Sequence, residues 1–162
     1  MFQRLLQRIA LGLNERAIPY MLIGGQAVLA YGEPRLTKDI DVTLGVGPER
    51  LEDILCTVKD QAWNVLVEAP RSFVEETMVL PCEDLDTGIR IDFIFSTSQY
   101  EQQAIKRARS INVGPVEVRF ASPEDLVVHK MVAGRARDLE DVKSILAKNP
   151  DMDLDYVSEW LE

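Results

Sequence analysis

The chain has 162 residues, 46% of them apolar and 28% charged, and this length predicts a single domain spanning residues 1–162. Its 27 acidic against 18 basic residues give a formal charge of −9, which disfavours a large basic face and therefore tRNA as a partner. No apolar run is long enough to cross a bilayer, the N-terminal residues lack the apolar segment of a signal peptide, and the two cysteines are isolated. We therefore expect a cytoplasmic protein with no membrane partner.

Hydrophobic periodicity predicts helices and strands that alternate along the chain. In order they are a helix at 2–16, a strand at 20–23, a helix at 26–31, a strand at 38–44, a helix at 48–58, a strand at 62–67, paired strands at 77–81 and 88–95, a helix at 99–109, a hairpin at 111–120, a helix from 122 that weakens near 134 and resumes at 139–148, and a helix at 153–161. This succession predicts an α+β fold with a mixed sheet and helices packed on it. The core would lie at about 18–147, with the helices 2–16 and 153–161 as additions.

Two helix starts carry specific signatures. Ser122 is a good N-cap, Pro123 suits the first helical position and Asp125 completes a pattern like a capping box. Asp153 is expected to cap the last helix, whose apolar face would consist of Leu154, Val157, Trp160 and Leu161.

Two aspartates in the predicted strand 38–44 suggest a cation site. Asp39 and Asp41 alternate with apolar residues, so both side chains would point to one side of the strand, about 7 Å apart. Two carboxylates this close raise each other's pKa unless a cation lies between them. Carboxylate oxygens at this spacing suit Mg²⁺ when substrate phosphates supply further ligands. The pair therefore indicates metal-assisted phosphate chemistry.

Two further features support this interpretation. Gly24 and Gly25 lie between a strand and a helix, where glycine permits close approach of the backbone and the helix N-terminus attracts phosphate, although a tight turn alone would explain them. Asp92 is the only acid in a strand that otherwise reads as buried, which requires a ligand or a partner. The alternative for Asp92 is a salt bridge to Arg90 or another base.

The combination of Gly-Gly, Asp-x-Asp and a later Asp, at residues 23–42 and 91–93, resembles the nucleotidyltransferase superfamily related to DNA polymerase β. Residues 122–131 and 135–142 are similar to the small bacterial and archaeal branch that includes AbiEii-type abortive-infection toxins and the minimal nucleotidyltransferases of toxin–antitoxin pairs. The resemblance covers about residues 20–147. It implies the nucleotidyltransferase fold and an enzyme that transfers a nucleoside monophosphate from a nucleoside triphosphate (NTP) to a hydroxyl group.

The resemblance also implies a role for each matching residue. Asp39, Asp41 and Asp92 would be the catalytic carboxylates and would hold two Mg²⁺ ions, for which Mn²⁺ could substitute. Gly24 and Gly25 would bind the β- and γ-phosphates. Many relatives carry a serine where Gly25 stands, so a hydroxyl contact to phosphate is missing here and backbone N–H groups would serve instead.

Two basic residues are further nucleotide-binding candidates. Arg35 would contact phosphate or shape its loop. Lys130 matches a helical lysine that faces the nucleotide phosphates in relatives, and the alternative is a lysine whose ammonium group extends to solvent. Asp138 and Asp141 are expected to pair with Arg135, Lys143 or Lys130, and so to hold the helix instead of a metal.

The acceptor stays open between a protein, an RNA and a small molecule, and the acidic balance favours a protein or small molecule over tRNA. The alternative function is a non-catalytic, antitoxin-like module that binds a nucleotide or a partner. In either case the protein partner would be HEPN-like or another member of a toxin–antitoxin or phage-defence pair.

Overall fold

A seven-stranded mixed sheet forms the centre of the structure, a computed structural model that describes residues 2–23 and 39–162. Its strands are β1 (Tyr20–Ile23), β2 (Asp39–Leu44), β3 (Trp63–Val65), β4 (Val79–Asp84), β5 (Arg90–Phe95), β6 (Arg109–Val113) and β7 (Val116–Phe120). The strand order is β3-β4-β5-β2-β1-β7-β6. The pairs β2/β5 and β1/β7 are parallel and the other neighbours antiparallel. The predicted α+β fold with a mixed sheet is confirmed.

Seven α-helices occur in the described ranges. They are α1 (Phe2–Glu15), α2 (Leu51–Asp60), α3 (Pro70–Thr77), α4 (Gln99–Arg107), α5 (Pro123–Ala133), α6 (Ala136–Lys148) and α7 (Leu154–Leu161), and a 3-10 turn at Pro48–Arg50 leads into α2. The helix predicted at 99–109 ends earlier, because Ala108 is extended and Arg109 begins β6. The helix predicted at 26–31 lies outside the described residues.

Helix α3 was not expected from the sequence. Its signal is weak because Val74 is its only buried residue, which leaves little hydrophobic periodicity to detect. Pro70 in the first turn is the one local cue. The helix ends at Met78, which has a left-handed conformation with φ of 64°.

The alternation of side chains along β2 and β5 separates an apolar face from an acidic one. Ile40, Val42, Ile91 and Phe93 are fully buried in the main core, together with apolar side chains of α1 and α2. The intervening residues of both strands point to the opposite face. The hydrophobic side of each strand therefore determines where the acids project.

Helix α5 begins as its sequence predicts. The Ser122 hydroxyl accepts a hydrogen bond from the Asp125 backbone N–H at 3.1 Å, Pro123 occupies the first turn, and Gly134 ends the helix with φ of 66°. The Asp125 carboxylate is fully buried and accepts hydrogen bonds from the hydroxyls of Ser122, Tyr100 and Tyr156. This carboxylate therefore connects α5 to α4 and α7.

The apolar face predicted for α7 is wrong in part. Asp153 caps the helix as expected, by accepting a hydrogen bond from the Tyr156 backbone N–H. Val157 is buried, but Leu154 is 56% exposed and Trp160 36% exposed. Tyr156, whose hydroxyl donates to Asp125, is buried beside Val157, whereas Leu154 lies on the exposed side of the helix. Within the described residues, no helix is long and apolar enough to cross a membrane.

Candidate active site

Two neighbouring strands bring the three predicted catalytic acids to one face of the sheet. Strands β2 and β5 are parallel, and Asp41 lies in register with Asp92 while Asp39 lies in register with Arg90. Residues in register on adjacent strands project to the same side, about 4.8 Å apart at the backbone. On the other side of β2, Asp41 pairs with Ile23, the last described residue before Gly24. Asp39, Asp41 and Asp92 therefore share one surface, as the sequence pattern predicts for Asp39 and Asp41 and as the family resemblance implies for Asp92.

The electrostatics of this surface are dominated by Asp41. Burial raises its pKa to about 6, and the neighbouring charges of Asp92 and Asp39 add to the shift. Lys130 and Arg90 act in the opposite direction. The site thus favours the arrival of a proton or another cation beside Asp41.

The Asp92 carboxylate is paired with a guanidinium group. Nε of Arg90 lies 2.9 Å from Oδ1 and 3.2 Å from Oδ2 of Asp92. This hydrogen bond is the largest cause of the raised pKa of Arg90. Across residues 2–23 and 39–162, no three His, Cys, Asp or Glu side chains are arranged so that they could hold a metal ion. The structure thus contains the salt bridge to Arg90 that the sequence suggests as the alternative for Asp92.

Lys130 is buried on α5 between two acids of α6. Its Nζ lies 3.3 Å from Oδ1 of Asp138 and 3.0 Å from Oδ2 of Asp141. Arg135 also contacts Asp138, with Nε 2.6 Å from Oδ2. Burial alone would raise the pKa of Asp138, but the hydrogen bonds from Arg135 and Lys130 outweigh it and lower the pKa.

The expected pairing of Asp138 and Asp141 with Lys130 is thus confirmed. The ammonium group does not extend to solvent, because the Lys130 side chain is only 8% exposed. Its charge still acts on Asp41, so it lies within electrostatic reach of the acidic face. Lys143, the remaining candidate partner, pairs with Glu140 instead.

Three predicted phosphate-binding residues, Gly24, Gly25 and Arg35, lie outside the described residues and stay predictions. The sequence does not single out Arg90 as a site residue, since it indicates this arginine only as a salt-bridge partner of Asp92. The available signal was its position two residues before Asp92, which places both side chains on one face of a strand.

A family model described as "Nucleotidyltransferase of unknown function (DUF6036)" matches residues 2–161. The chain belongs to this nucleotidyltransferase family. No curated protein matches the sequence. The family match supports the resemblance to the superfamily, while the narrower placement in the AbiEii branch stays a prediction.

Solved structures with the same fold include other nucleotidyltransferases. The antibiotic-resistance factor ANT(2'')-Ia is 18% identical, with a TM-score of 0.65 over 98% of this chain and 88% of that one. An antigenic nucleotidyltransferase-like protein from Paracoccidioides brasiliensis is 15% identical, with a TM-score of 0.60 over 91% and 75% of the two chains. The lincosamide antibiotic adenylyltransferase LnuA is 15% identical, with a TM-score of 0.56 over 82% and 89%. At these identities the likeness establishes a nucleotidyltransferase fold.

The acids of this family member have the chemistry that a divalent cation requires. Asp39, Asp41 and Asp92 provide hard oxygen ligands on one face, and the pKa of Asp41 is raised first by burial and then by the charges of Asp92 and Asp39. These oxygens suit Mg²⁺ in kind, but in this conformation, with Arg90 on Asp92, the described side chains are not gathered around a metal position.

Proposed function

We propose that this protein is a cytoplasmic, Mg²⁺-dependent nucleotidyltransferase that moves a nucleoside monophosphate from an NTP to a hydroxyl group. The observation that carries the proposal is the register of β2 and β5, which places Asp39, Asp41 and Asp92 on one face of the sheet in a chain of this family. The same three acids, expected from the sequence motif, are the ones that share this surface.

Each residue has a defined part in the proposed reaction. Asp39 and Asp41 would hold the cations at the triphosphate. Asp92 would complete the ligand set and accept the proton of the hydroxyl that attacks the α-phosphorus, from which pyrophosphate leaves. Two Mg²⁺ ions, when bound, would neutralise the charge that develops on the attacking and leaving oxygens. Gly24 and Gly25 would bind phosphate oxygens through backbone N–H groups.

Two basic side chains would complete the binding of the nucleotide. Arg35 would contact the phosphates directly. Lys130 would add positive charge beside them while Asp138 and Asp141 hold it in place. A lysine that is buried and paired in this way loses little entropy on binding a nucleotide, because its side chain is already ordered.

The acceptor that we propose is a small molecule or a protein. The net charge of −9 opposes the approach of a polyanion such as tRNA. One solved neighbour, ANT(2'')-Ia, is in complex with adenylyl-2''-tobramycin, and LnuA is bound to lincomycin, so the fold holds a small molecule in each of those proteins.

A non-catalytic role is the second candidate. The salt bridge between Arg90 and Asp92 favours it, because a carboxylate held by a guanidinium is not free to ligate a metal. In this role the protein would bind a nucleotide or a HEPN-like partner as part of a toxin–antitoxin or phage-defence pair.

Nucleotide binding and label transfer distinguish the two candidates. Isothermal titration with Mg²⁺-ATP should show metal-dependent binding to the wild type that is lost in the double variant Asp39→Ala/Asp41→Ala. Incubation with each labelled NTP and a cell lysate should label an acceptor, and Asp92→Asn should abolish the labelling. Asp86→Asn, which removes an exposed acid, is the matched control and should keep both properties. If the wild-type protein binds no nucleotide in the presence of Mg²⁺, the proposed nucleotidyltransferase activity is refuted.

A further inference from the structure

Arg90 is a cation placed within the acidic group that is proposed to bind metal. It precedes Asp92 by two residues on β5, so both side chains project from the same face of the sheet. It also lies directly in register with Asp39 on β2. Its guanidinium contacts both carboxylate oxygens of Asp92. The contact therefore occupies the oxygens that a metal would need.

The charge of Arg90 acts on all three acids. Besides its hydrogen bond to Asp92, Arg90 is stabilised in its charged form by Asp39 and Asp41. In return, its charge partly offsets the repulsion that Asp41 experiences from its neighbours. Arg90 thus supplies part of the positive charge that a divalent cation would otherwise bring.

The ion pair between Arg90 and Asp92 can separate at a small cost in free energy. The Arg90 side chain is 50% exposed, and water screens an ion pair at such a position, so that little free energy opposes its separation. Lys130 provides the contrast within the same site, since it is 8% exposed and contacts two acids. A guanidinium also matches phosphate oxygens in a bidentate manner, which gives Arg90 an alternative partner when a triphosphate arrives.

We propose that Arg90 is a resident counter-cation that competes with divalent metal for Asp92 and yields to it when an NTP is bound. The proposal rests on the proposed function and adds an order of events to it. Without nucleotide, Arg90 holds Asp92 and keeps metal affinity low. With nucleotide, the triphosphate offers Arg90 new oxygens, Asp92 becomes available, and the metal site is completed. Arg90 is in this sense a positioning residue.

The direct test is the binding of Mn²⁺ to the nucleotide-free protein, measured by the electron paramagnetic resonance signal of the free ion. Arg90→Gln removes the competing charge and should bind Mn²⁺ about tenfold more tightly than the wild type. Arg90→Lys keeps the charge and should stay close to the wild type. The matched control is Arg71→Gln, which removes an equally exposed arginine from a surface pair with Glu52 and should leave the affinity unchanged.

A second measurement tests the dependence on nucleotide. In the presence of a non-hydrolysable ATP analogue, the tenfold advantage of Arg90→Gln over the wild type should disappear, because the triphosphate draws Arg90 of the wild type away from Asp92. Circular dichroism and urea midpoints establish that each variant is folded. Equal Mn²⁺ affinity of the nucleotide-free wild type and Arg90→Gln would overturn the proposal.

The failure of this proposal can be distinguished from the failure of the proposed function. If Asp41→Asn abolishes Mn²⁺ binding while Arg90→Gln leaves it unchanged, the metal site stands and the competition by Arg90 is refuted. If neither the wild type nor Arg90→Gln binds Mn²⁺, with or without the ATP analogue, both proposals are refuted.

Discussion

At the scale of single residues, burial and the neighbouring acids make the charged form of Asp41 unfavourable. Its pKa is raised from the ordinary value of 3.8 to about 6, with burial as the first cause. The folded protein therefore binds a proton at Asp41 more readily than the unfolded chain does. Between about pH 4 and pH 6 the folded state holds more protons than the unfolded state, so stability falls as the pH rises through this interval.

Replacing Asp41 by Asn should remove this loss of stability. In protein freed of metal by EDTA, Asp41→Asn is expected to raise the free energy of unfolding by about 1–3 kcal/mol at pH 8 and by clearly less at pH 5. Urea denaturation at the two pH values measures the difference, with the exposed Asp86→Asn as the control. A gain that does not depend on pH would show that the stabilisation has another origin.

Lys130 illustrates the opposite case, a buried charge that is fully paired. Lys130→Met leaves Asp138 and Asp141 without their shared cation, and we expect the free energy of unfolding to drop by about 2–4 kcal/mol. Lys143→Met, which breaks the exposed pair with Glu140, should cost less than about 0.5 kcal/mol. Thermal and urea denaturation of the two variants provides the comparison. Equal effects of the two substitutions would contradict the pairing described for Lys130.

At the scale of secondary-structure elements, the start of α5 organises the helices around it. Asp125 lies in its first turn and accepts hydrogen bonds from Tyr100 of α4 and Tyr156 of α7. Burial and the nearby carboxylate raise the pKa of both tyrosines, so their hydroxyls stay protonated and donate. Arg107 adds a cation 3.8 Å from the centroid of the Tyr156 ring. The attachment of α7 therefore depends on a polar contact as well as on apolar packing.

The variant Tyr156→Phe tests this attachment. It removes the donor that lies 2.6 Å from Oδ1 of Asp125 and should cost about 1–3 kcal/mol, because the buried carboxylate loses a hydrogen bond. Faster hydrogen exchange should be concentrated in α7. Leu154→Ala on the exposed side of the same helix is the control and should change stability by less than about 0.5 kcal/mol. Unchanged exchange in α7 would show that the hydrogen bond does not hold the helix.

At the scale of the whole molecule, net charge constrains the acceptor. A chain with a formal charge of −9 lacks the excess of Lys and Arg that releases counterions from nucleic acid. We expect no retardation of tRNA in a gel-shift assay with Mg²⁺ at 150 mM salt. A retarded complex that weakens as the salt concentration rises would indicate a local basic surface. RNA would then be a candidate acceptor.

Much of the architecture could be predicted from the sequence, because hydrophobic periodicity and helix-capping residues are local patterns. The alternation in β2 predicted that strand and the shared side of Asp39 and Asp41, the apolar run around Asp92 predicted β5, and the Ser122-Pro123 signature predicted the start of α5. Helix α3 was not predicted, because a helix with a single buried residue shows no hydrophobic periodicity. The exposure of Leu154 differs from the prediction, because Tyr156 is one of the two buried residues of α7 and its partner Asp125 lies 31 residues earlier in the chain.

The side of its strand to which each of the three acids points follows from residue order alone, because side-chain direction in a strand is a local property with a period of two. That Asp41 lies beside Asp92, and Asp39 beside Arg90, depends on the parallel pairing of strands separated by more than forty residues. The sequence indicated Arg90 as one alternative for Asp92 and three bases as candidate partners of Asp138 and Asp141, but only the fold showed that Lys130 lies between those two acids and that Arg90 holds Asp92. The sequence identifies the charged groups of this site. Because charges interact through space, only the tertiary structure establishes which charged groups lie close to one another.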